Sequence, residues 1–190
     1  MDATVAQRRQ LEAAIRGDAK AFEALATESK SMVWSVCLRI TGNAYDAEDA
    51  LQDTLSAAWR GMPHFPREWS FGTWIYRIAA DSASAILRSN QTAEINDGET
   101  SYSPGSDFAQ QHGTYSRERD FARHLAEADL VQRALNAMPT DIRVAFVLRE
   151  LCAYTYAQIA DYQGVGVPTV KSRIATGQRA FETAVTTGIS

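Results

Sequence analysis

Apolar side chains recur every three or four residues along most of the chain, which is the spacing of an amphipathic α-helix. Val33, Val36, Cys37 and Ile40 form one such stripe, and Gly42 follows where that helix would end. No segment alternates between apolar and polar residues for long enough to predict a β-strand. The pattern therefore predicts an all-α protein, with a bundle of roughly four helices in its N-terminal part.

The C-terminal part carries the pattern of a helix-turn-helix. Thr155 and Gln158 have the spacing of a capping box, which begins a helix. Gly164 can adopt the positive φ of a tight turn, and Pro168 is tolerated in the first turn of a second helix. Many DNA-binding proteins present the second helix of such a unit to the major groove, although the same pattern also serves simply as a packing unit.

The second helix of this unit is predicted to have two unlike faces. The apolar residues at helical spacing are Val170, Ile174, Gly177, Phe181 and Ala184. The short polar and basic residues on and beside the other face are Thr169, Lys171, Ser172, Arg173 and Thr176. Such side chains reach base edges and phosphates, so this face is a candidate DNA-reading surface.

A polar and acidic segment separates the two helical parts. Residues 89–116 contain recurring Gly, Pro and Ser and lack helical periodicity. We expect a flexible linker over 89–118, between an N-terminal domain at 8–88 and a C-terminal domain at 119–187. Its simplest function is that of a tether.

The charge balance is unfavourable for a protein that holds DNA alone. The formal net charge is −4, whereas cations that contact phosphates supply most of the non-specific affinity for DNA. Residues 89–118 hold five acidic side chains and one basic side chain, so the excess acid lies mainly in the expected linker. If the chain acts on DNA, we expect another component to hold it there.

One predicted helix, with the sequence NAYDAEDALQDTLSAAWR, combines an apolar stripe with an acidic face. The face consists of Asp46, Asp49 and Asp53, with Glu48 and Gln52 beside them. Carboxylates in the first turn favour the helix dipole, but Asp53 lies too far along to act in that way. Because no His, Lys or glycine-rich loop converges on this face, docking of a basic partner is favoured over catalysis or metal binding.

An aromatic and basic run follows, with the sequence PREWSFGTWIYRIAADSASAILRS. Phe71, Ile75 and Ile78 would face a core. The residues of a second face would be Trp74, Arg77, Asp81, Ser84 and Arg88. Aromatic rings beside arginines stack on unpaired bases and neutralise phosphates, as in single-strand binding, although each tryptophan taken singly is better explained as a core residue.

Other kinds of site are not indicated. Cys37 and Cys152 lie far apart in apolar helical patterns, which predicts buried free thiols in a reducing cytoplasm. No zinc-site spacing, nucleophile or cofactor motif is present, so we expect a non-enzymatic protein without metal or cofactor. No apolar run approaches about 20 residues and the start has no signal-peptide pattern, which predicts a cytoplasmic protein without membrane insertion.

Three segments together resemble the bacterial RNA polymerase sigma factors of the sigma-70 family. They are Asp-Ala-Glu-Asp-Ala-Leu-Gln-Asp at 46–53, Phe-Gly-Thr-Trp-Ile-Tyr-Arg-Ile-Ala at 71–79, and Thr-Val-Lys-Ser-Arg at 169–173. Their order and spacing are most similar to those of the small extracytoplasmic-function (ECF) group, in which two domains, regions 2 and 4, are joined by a linker. The resemblance covers residues 8–88 and 119–187.

The resemblance implies a role for each surface. Docking on the β′ clamp helices of core RNA polymerase would use Asp46, Glu48, Asp49, Gln52 and Asp53, while region 4 would contact the β flap. Capture of the non-template strand of the minus-ten promoter element would use Trp74, Tyr76, Arg77, Asp81 and Arg88. Reading of the minus-35 element in the major groove would use Thr169, Lys171, Ser172 and Arg173, with Arg149 as a phosphate contact.

The implied function is that of a promoter-specificity subunit, which recruits core polymerase and aids DNA melting without catalysing a reaction itself. An anti-sigma factor is implied as a further partner, and the stress response as the setting. Asp81, Thr176 and Gln178 stand where the family often carries other residues, arginine at the last two. Fewer cations predict weaker, salt-sensitive promoter binding. Two alternatives remain: a sigma mimic that sequesters an anti-sigma factor, and a stand-alone helix-turn-helix repressor.

Overall fold

The computed structural model describes the backbone of residues 2–96 and 128–188. In these two stretches the regular secondary structure is entirely helical, with no strand. The predicted all-α class is therefore confirmed. Residues 97–127, which include most of the expected linker and the start of the expected C-terminal domain, lie outside the described residues.

The helices fall into two groups along the chain. The first group is α1 (Asp2–Ile15), α2 (Ala19–Thr41), α3 (Ala44–Gly61) and α4 (Phe71–Asn96), with a 3₁₀ turn at Met62–His64 before α4. The second group is α5 (128–136), α6 (Thr140–Glu150), α7 (Tyr156–Gln163) and α8 (Val167–Gly188).

Local sequence signals account for several helix ends. The Asp18 side chain accepts hydrogen bonds from the backbone N–H groups of Lys20 and Ala21, which caps the start of α2. Gly42 ends α2 at a φ of 87°, a conformation that favours glycine. The predicted capping box at α7 is confirmed, because Thr155 and Gln158 each bond to the other's backbone. Gly164 ends α7 at a φ of 64°.

Helix α4 is longer than the sequence pattern predicts. It ends at Asn96, so residues 89–96, expected to be linker, are helical. This stretch reads SNQTAEIN and contains neither Gly nor Pro. Because this stretch is polar, it shows no helical periodicity, but it also contains no residue that stops a helix.

One continuous cluster of buried apolar side chains runs through both groups of helices. Val33, Val36, Cys37 and Ile40 of α2 are all fully buried, as their spacing predicts. Helix α2 packs against α3 and α4, and also against α6 of the second group. Besides the predicted tether, the two groups are therefore joined by direct packing, which no periodicity in the sequence indicates.

Candidate nucleic-acid and partner interfaces

The acidic face of α3 forms one wall of a groove against α4. The residues lining this cavity of about 360 Å³ are Tyr45, Asp46, Asp49, Gln52, Asp53, Ile86, Ser89 and Asn90. Asp49, Gln52 and Asp53 are exposed, so their polar groups can meet a basic partner. Glu48 is also exposed but does not line the groove.

Asp46 is held more firmly than its acidic neighbours. One of its carboxylate oxygens, Oδ2, accepts a hydrogen bond of 2.8 Å from Asn43 Nδ2 and another of 2.9 Å from Asn90 Nδ2. The carboxylate therefore ties the start of α3 to α4, and sequence reasoning had not indicated a role for Asn90.

Trp74 packs inside the first group of helices. Its ring centre lies 5.2 Å from that of Phe65 in an edge-to-face arrangement, and 6.0 Å from that of Phe71. A methyl group at Gly61 would meet the Trp74 ring at 3.1 Å, so the indole is closely enclosed on that side. Trp74 is thus partly a core residue, as single tryptophans were expected to be, and only part of its surface is open to a base.

Arg77 connects the two groups of helices. Its guanidinium carbon lies 4.2 Å from the centre of the Trp69 ring and 4.3 Å from the centre of the Tyr154 ring. Its Nη2 donates hydrogen bonds of 3.1 Å to the Ala153 carbonyl and to Gln158 Oε1. The half-buried cation therefore contacts two aromatic rings, and cation–π attraction stabilises this arrangement.

Two other candidate residues of α4 are only partly shielded from water: Asp81 remains exposed beside Tyr154 of the second group, and Tyr76 is half-buried. Burial raises the pKa of the Asp81 carboxyl, while a hydrogen bond with Tyr154 and the charges of Arg88 and Arg77 oppose that rise. Burial also raises the pKa of the Tyr76 hydroxyl. Asp81 therefore contacts Tyr154 whether or not it also contacts a base.

Helix α8 presents the polar face that its spacing predicts. Thr169, Lys171 and Ser172 are exposed, while Val170 and Ile174 are buried against the rest of the unit. Gly177 lies against Phe146 of α6, because a methyl group there would meet the Phe146 side chain at 3.2 Å. The helix-turn-helix thus has an open polar surface on its second helix, as groove insertion requires.

The two arginines expected to contact DNA from the second group of helices, Arg149 and Arg173, have partners within the chain. Arg173 Nη2 lies 2.7 Å from Asp141 Oδ2, and its Nη1 donates a hydrogen bond of 2.8 Å to Gln163 Oε1. Arg149 Nη1 donates a hydrogen bond of 2.9 Å to the Tyr154 carbonyl, and its guanidinium lies 4.7 Å from the Tyr156 ring centre. Arg173, which the sequence predicts to lie on the polar face of α8, therefore also has partners within the chain, and its role in DNA binding stays a prediction.

A cleft of about 500 Å³ lies between α4 and the second group. Arg88 and Arg173, for which the family resemblance implies contacts to different promoter elements, line the same cleft together with Asp141. No cluster of metal-ligating side chains occurs among the described residues. None of the helices in the described stretches is both long and apolar enough to span a membrane.

Comparison with protein families gives two matches. The family described as "Sigma-70 region 2" matches residues 25–92, and the family described as "Sigma-70, region 4" matches residues 128–177. The first range contains α3 and most of α4, and the second ends within the polar helix of the helix-turn-helix.

Several curated proteins are similar along nearly the whole chain. RNA polymerase sigma-H factor of Pseudomonas aeruginosa is 30% identical over 173 residues, which cover 90% of this chain and 89% of that protein. ECF RNA polymerase sigma factor SigW of Bacillus subtilis is 25% identical over 92% of this chain and 94% of its own length. ECF RNA polymerase sigma-E factor of Escherichia coli (strain K12) is 27% identical over 90% and 89%.

Two solved structures share the fold. The sigma factor RpoE of Bartonella quintana, in complex with the anti-sigma factor NepR, has a TM-score of 0.60 and 20% identity, covering 88% of this chain and 98% of that one. CnrH in complex with the cytosolic domain of CnrY has a TM-score of 0.56 and 19% identity, covering 96% and 98%.

Proposed function

Because the chain belongs to the ECF group of the sigma-70 family, we propose that it is the promoter-specificity subunit of a bacterial RNA polymerase. It recruits the core enzyme to promoters and aids the first opening of the DNA. The observation that carries this proposal is the order of the two sigma regions at 25–92 and 128–177, with the helix-turn-helix in the second.

The groove between α3 and α4 is the proposed docking site for core polymerase. Three of its polar side chains, Asp49, Gln52 and Asp53, are exposed on one face of α3. Asp46 contributes a carboxylate at the end of the groove, and Glu48 adds a charge beside it. This arrangement suits a helical partner that carries basic side chains, such as the β′ clamp helices.

Two surfaces are proposed to bind promoter DNA. On α4, the minus-ten element would be captured by Trp74, Tyr76, Arg77, Asp81 and Arg88. On α8, the minus-35 element would be read by Thr169, Lys171, Ser172 and Arg173, with Arg149 on a phosphate. The exposed hydroxyls and Lys171 support the second assignment directly, whereas the arginines must first leave their intramolecular partners.

Polymerase, and not this chain, catalyses the chemistry of RNA synthesis. The protein is proposed to act in the cytoplasm beside the core enzyme and to leave it during elongation, while region 4 contacts the β flap. An anti-sigma factor is a further proposed partner. One solved structure of the same fold is a sigma factor in complex with the anti-sigma factor NepR, which supports this part of the proposal.

A direct test of the docking site is binding to purified core polymerase, measured with a fluorescently labelled chain. The double variant Asp49→Asn/Asp53→Asn should weaken binding at least tenfold, because it removes two exposed charges from the groove. Glu12→Gln/Glu23→Gln is the matched control, since both residues are exposed on other helices and the net charge changes equally. If both double variants weaken binding to core polymerase equally, the loss is an effect of net charge and does not locate the docking site in the groove.

A further inference from the structure

We propose that Tyr45 is a specificity-determining residue of the groove between α3 and α4, where its ring and the Asp49 carboxylate together receive an arginine side chain of core polymerase. This role of Tyr45 rests on the proposed function, because it concerns the groove at which core polymerase is proposed to dock. It adds an aromatic contact to a surface that the sequence distinguishes only by its acidic side chains.

Tyr45 is the most exposed large hydrophobic residue in the described parts of the chain. It is 71% exposed, whereas Met32 and Trp59 are 41% and 38% exposed. The Trp59 ring packs on Phe22 with 5.2 Å between the ring centres, but no aromatic ring of the described residues packs on Tyr45. A single exposed ring needs no explanation by itself. The location of this ring in the groove, beside acidic side chains, is what distinguishes it.

Tyr45 and Asp49 lie one helical turn apart on α3. Both line the groove, and Asp49 is exposed. Side chains four positions apart on a helix are neighbours, with Cβ atoms about 5–6 Å apart. A guanidinium between them can lay its flat face on the ring and direct its N–H edge at the carboxylate. The pair therefore offers both contacts that an arginine side chain makes best.

Arginine side chains lie on aromatic rings elsewhere in the same protein. The Arg77 guanidinium carbon is 4.2 Å from the centre of the Trp69 ring. The Arg149 guanidinium carbon is 4.7 Å from the centre of the Tyr156 ring, whereas Lys171 Nζ is 5.9 Å from it. A guanidinium is planar and more weakly hydrated than an ammonium group, so it stacks more closely on a ring. A tyrosine ring beside a carboxylate therefore selects arginine over lysine.

A hydrogen-bonded network fixes the groove beside Tyr45. Asp46 Oδ2 accepts hydrogen bonds from Asn43 Nδ2 and Asn90 Nδ2. The Asp46 backbone N–H donates a bond of 2.9 Å to Asn43 Oδ1, which caps the start of α3. The Asp46 carboxylate is thus engaged within the chain and ties the two walls together. Asp49 is then the carboxylate beside the ring that is open to a partner.

Apolar surface completes the site. Ile86 of α4 lines the same groove as the Tyr45 ring and is half-buried. The three methylenes of an arginine side chain can pack on such surface while its charged end stays polar. Tyrosine and arginine are the residue types on which the binding energy of protein interfaces is often concentrated. The affinity for the polymerase is accordingly expected to depend on Tyr45 as well as on the acidic side chains.

The test measures the binding of fluorescently labelled full-length variants to purified core polymerase. Tyr45→Leu keeps apolar bulk without the aromatic face and should weaken binding about 5–20-fold, the range of a cation–π contact that is shielded from water. Tyr45→Phe loses only the hydroxyl and should retain most of the affinity. Met32→Ala is the control, because Met32 is an exposed apolar residue of α2 outside the groove. Helical circular dichroism checks that every variant folds.

A double-mutant cycle with Asp49→Asn shows whether the ring and the carboxylate contact the same arginine. If they do, Tyr45→Leu/Asp49→Asn should lose clearly less affinity than the product of the two single losses, because each group helps to hold the side chain for the other. Single losses that simply multiply would show that the two residues contact different groups, and would overturn the proposal.

Direct binding of two labelled helical peptides measures the preference for arginine. The peptides are identical except that their basic positions carry arginine in one and lysine in the other. The wild-type chain should bind the arginine peptide severalfold more tightly, and Tyr45→Leu should lose this difference while Tyr45→Phe keeps it. Equal binding of the two peptides by the wild-type chain would overturn the assignment of arginine.

These outcomes separate the role of Tyr45 from the proposed function. Full affinity of Tyr45→Leu for core polymerase, together with weakened binding of Asp49→Asn/Asp53→Asn, would overturn the role of Tyr45 and leave the docking groove in place. Failure of the wild-type chain to bind core polymerase would contradict the proposed function, while the two peptides would still decide whether Tyr45 selects arginine.

Discussion

Arg173 Nη2 and Asp141 Oδ2 lie 2.7 Å apart, so an arginine expected to reach promoter DNA is already paired with a carboxylate of α6. The arginine side chain is 22% exposed and the aspartate side chain 49% exposed. The ion pair is therefore partly open to water, which limits the strength of the attraction. Phosphate can compete with such a carboxylate for the guanidinium.

The first prediction concerns this competition. Asp141→Asn should tighten binding of a minus-35 duplex to the complex of this chain with core polymerase by a few fold. The uncharged amide that replaces the Asp141 carboxylate does not neutralise the charge of Arg173. Arg173→Ala should weaken binding and reduce the slope of log affinity against log salt by about 0.9 for one lost phosphate contact. Fluorescence anisotropy over a salt series measures both effects. If Asp141→Asn weakens binding as much as Arg173→Ala does, Asp141 orients the arginine for DNA instead of competing with it.

A second prediction concerns the start of α7. Thr155→Ala removes the side chain that accepts a hydrogen bond from the Gln158 backbone and should lower the free energy of unfolding by about 0.5–2 kcal/mol. Thr183→Ala, at an exposed position in the C-terminal part of α8, is the control and should change it by less than about 0.5 kcal/mol. Urea unfolding, followed by the circular dichroism of the helices at about 222 nm, measures the difference. Equal effects at the two threonines would mean that the capping box does not stabilise the helix-turn-helix.

Two glycines give a third prediction. Gly17 and Gly42 have φ values of 93° and 87°, so Ala at either position carries roughly 1–2 kcal/mol of backbone strain. A methyl group at Gly17 meets nothing within 4 Å, whereas one at Gly42 meets Arg143 and Asn136 at 3.1 Å. Gly42→Ala should therefore cost about 1–3 kcal/mol more than Gly17→Ala in urea unfolding. Similar costs would show that region 4 does not pack on this end of α2.

The two buried thiols predict a dependence of stability on pH. Burial raises the pKa of Cys37 from 9.0 to about 11 and that of Cys152 from 9.0 to about 12. Both thiols stay neutral in the folded chain but ionise in the unfolded chain above pH 9, so rising pH favours unfolding. This contribution to stability is complete below about pH 8.5 and is lost as the pH rises through the folded pKa values.

Urea unfolding at pH 8 and pH 10 tests this prediction. The free energy of unfolding of the wild-type chain should fall more between these pH values than that of the double variant Cys37→Ala/Cys152→Ala. The ionisation of other groups is common to both proteins and cancels in the comparison. An identical fall in the two proteins would mean that neither thiol is shielded from water in the folded state.

Much of the fold follows from local sequence. Val33, Val36, Cys37 and Ile40 are buried because their spacing places them on one face of a helix. Gly42 and Gly164 end helices because they adopt a positive φ at little cost. The acidic face of α3 could be predicted from the sequence in the same way, because it depends on one helix alone.

The contacts between distant segments of the chain could not be predicted from local sequence. Neither the pairing of Arg173 with Asp141 nor the contact of Arg77 with Tyr154 and Gln158 leaves a periodic signal, since residues 32 positions apart in the first case and 77 and 81 apart in the second meet only in the folded chain. Trp69 lies within the aromatic run, but its stacking on Arg77 depends on the rotamers of both side chains. Helix α4 passed beyond its expected end because polar residues without Gly or Pro do not stop a helix.

Abortive transcription with purified core polymerase and promoter fragments from the source genome tests the function most directly. The wild-type chain should direct short, start-site-specific RNA, and Lys171→Ala/Arg173→Ala should lose this RNA while it still binds core. Binding to core without promoter-dependent RNA from the wild-type chain would favour a sigma mimic. A chain that neither binds core nor directs RNA would contradict the assignment as a promoter-specificity subunit.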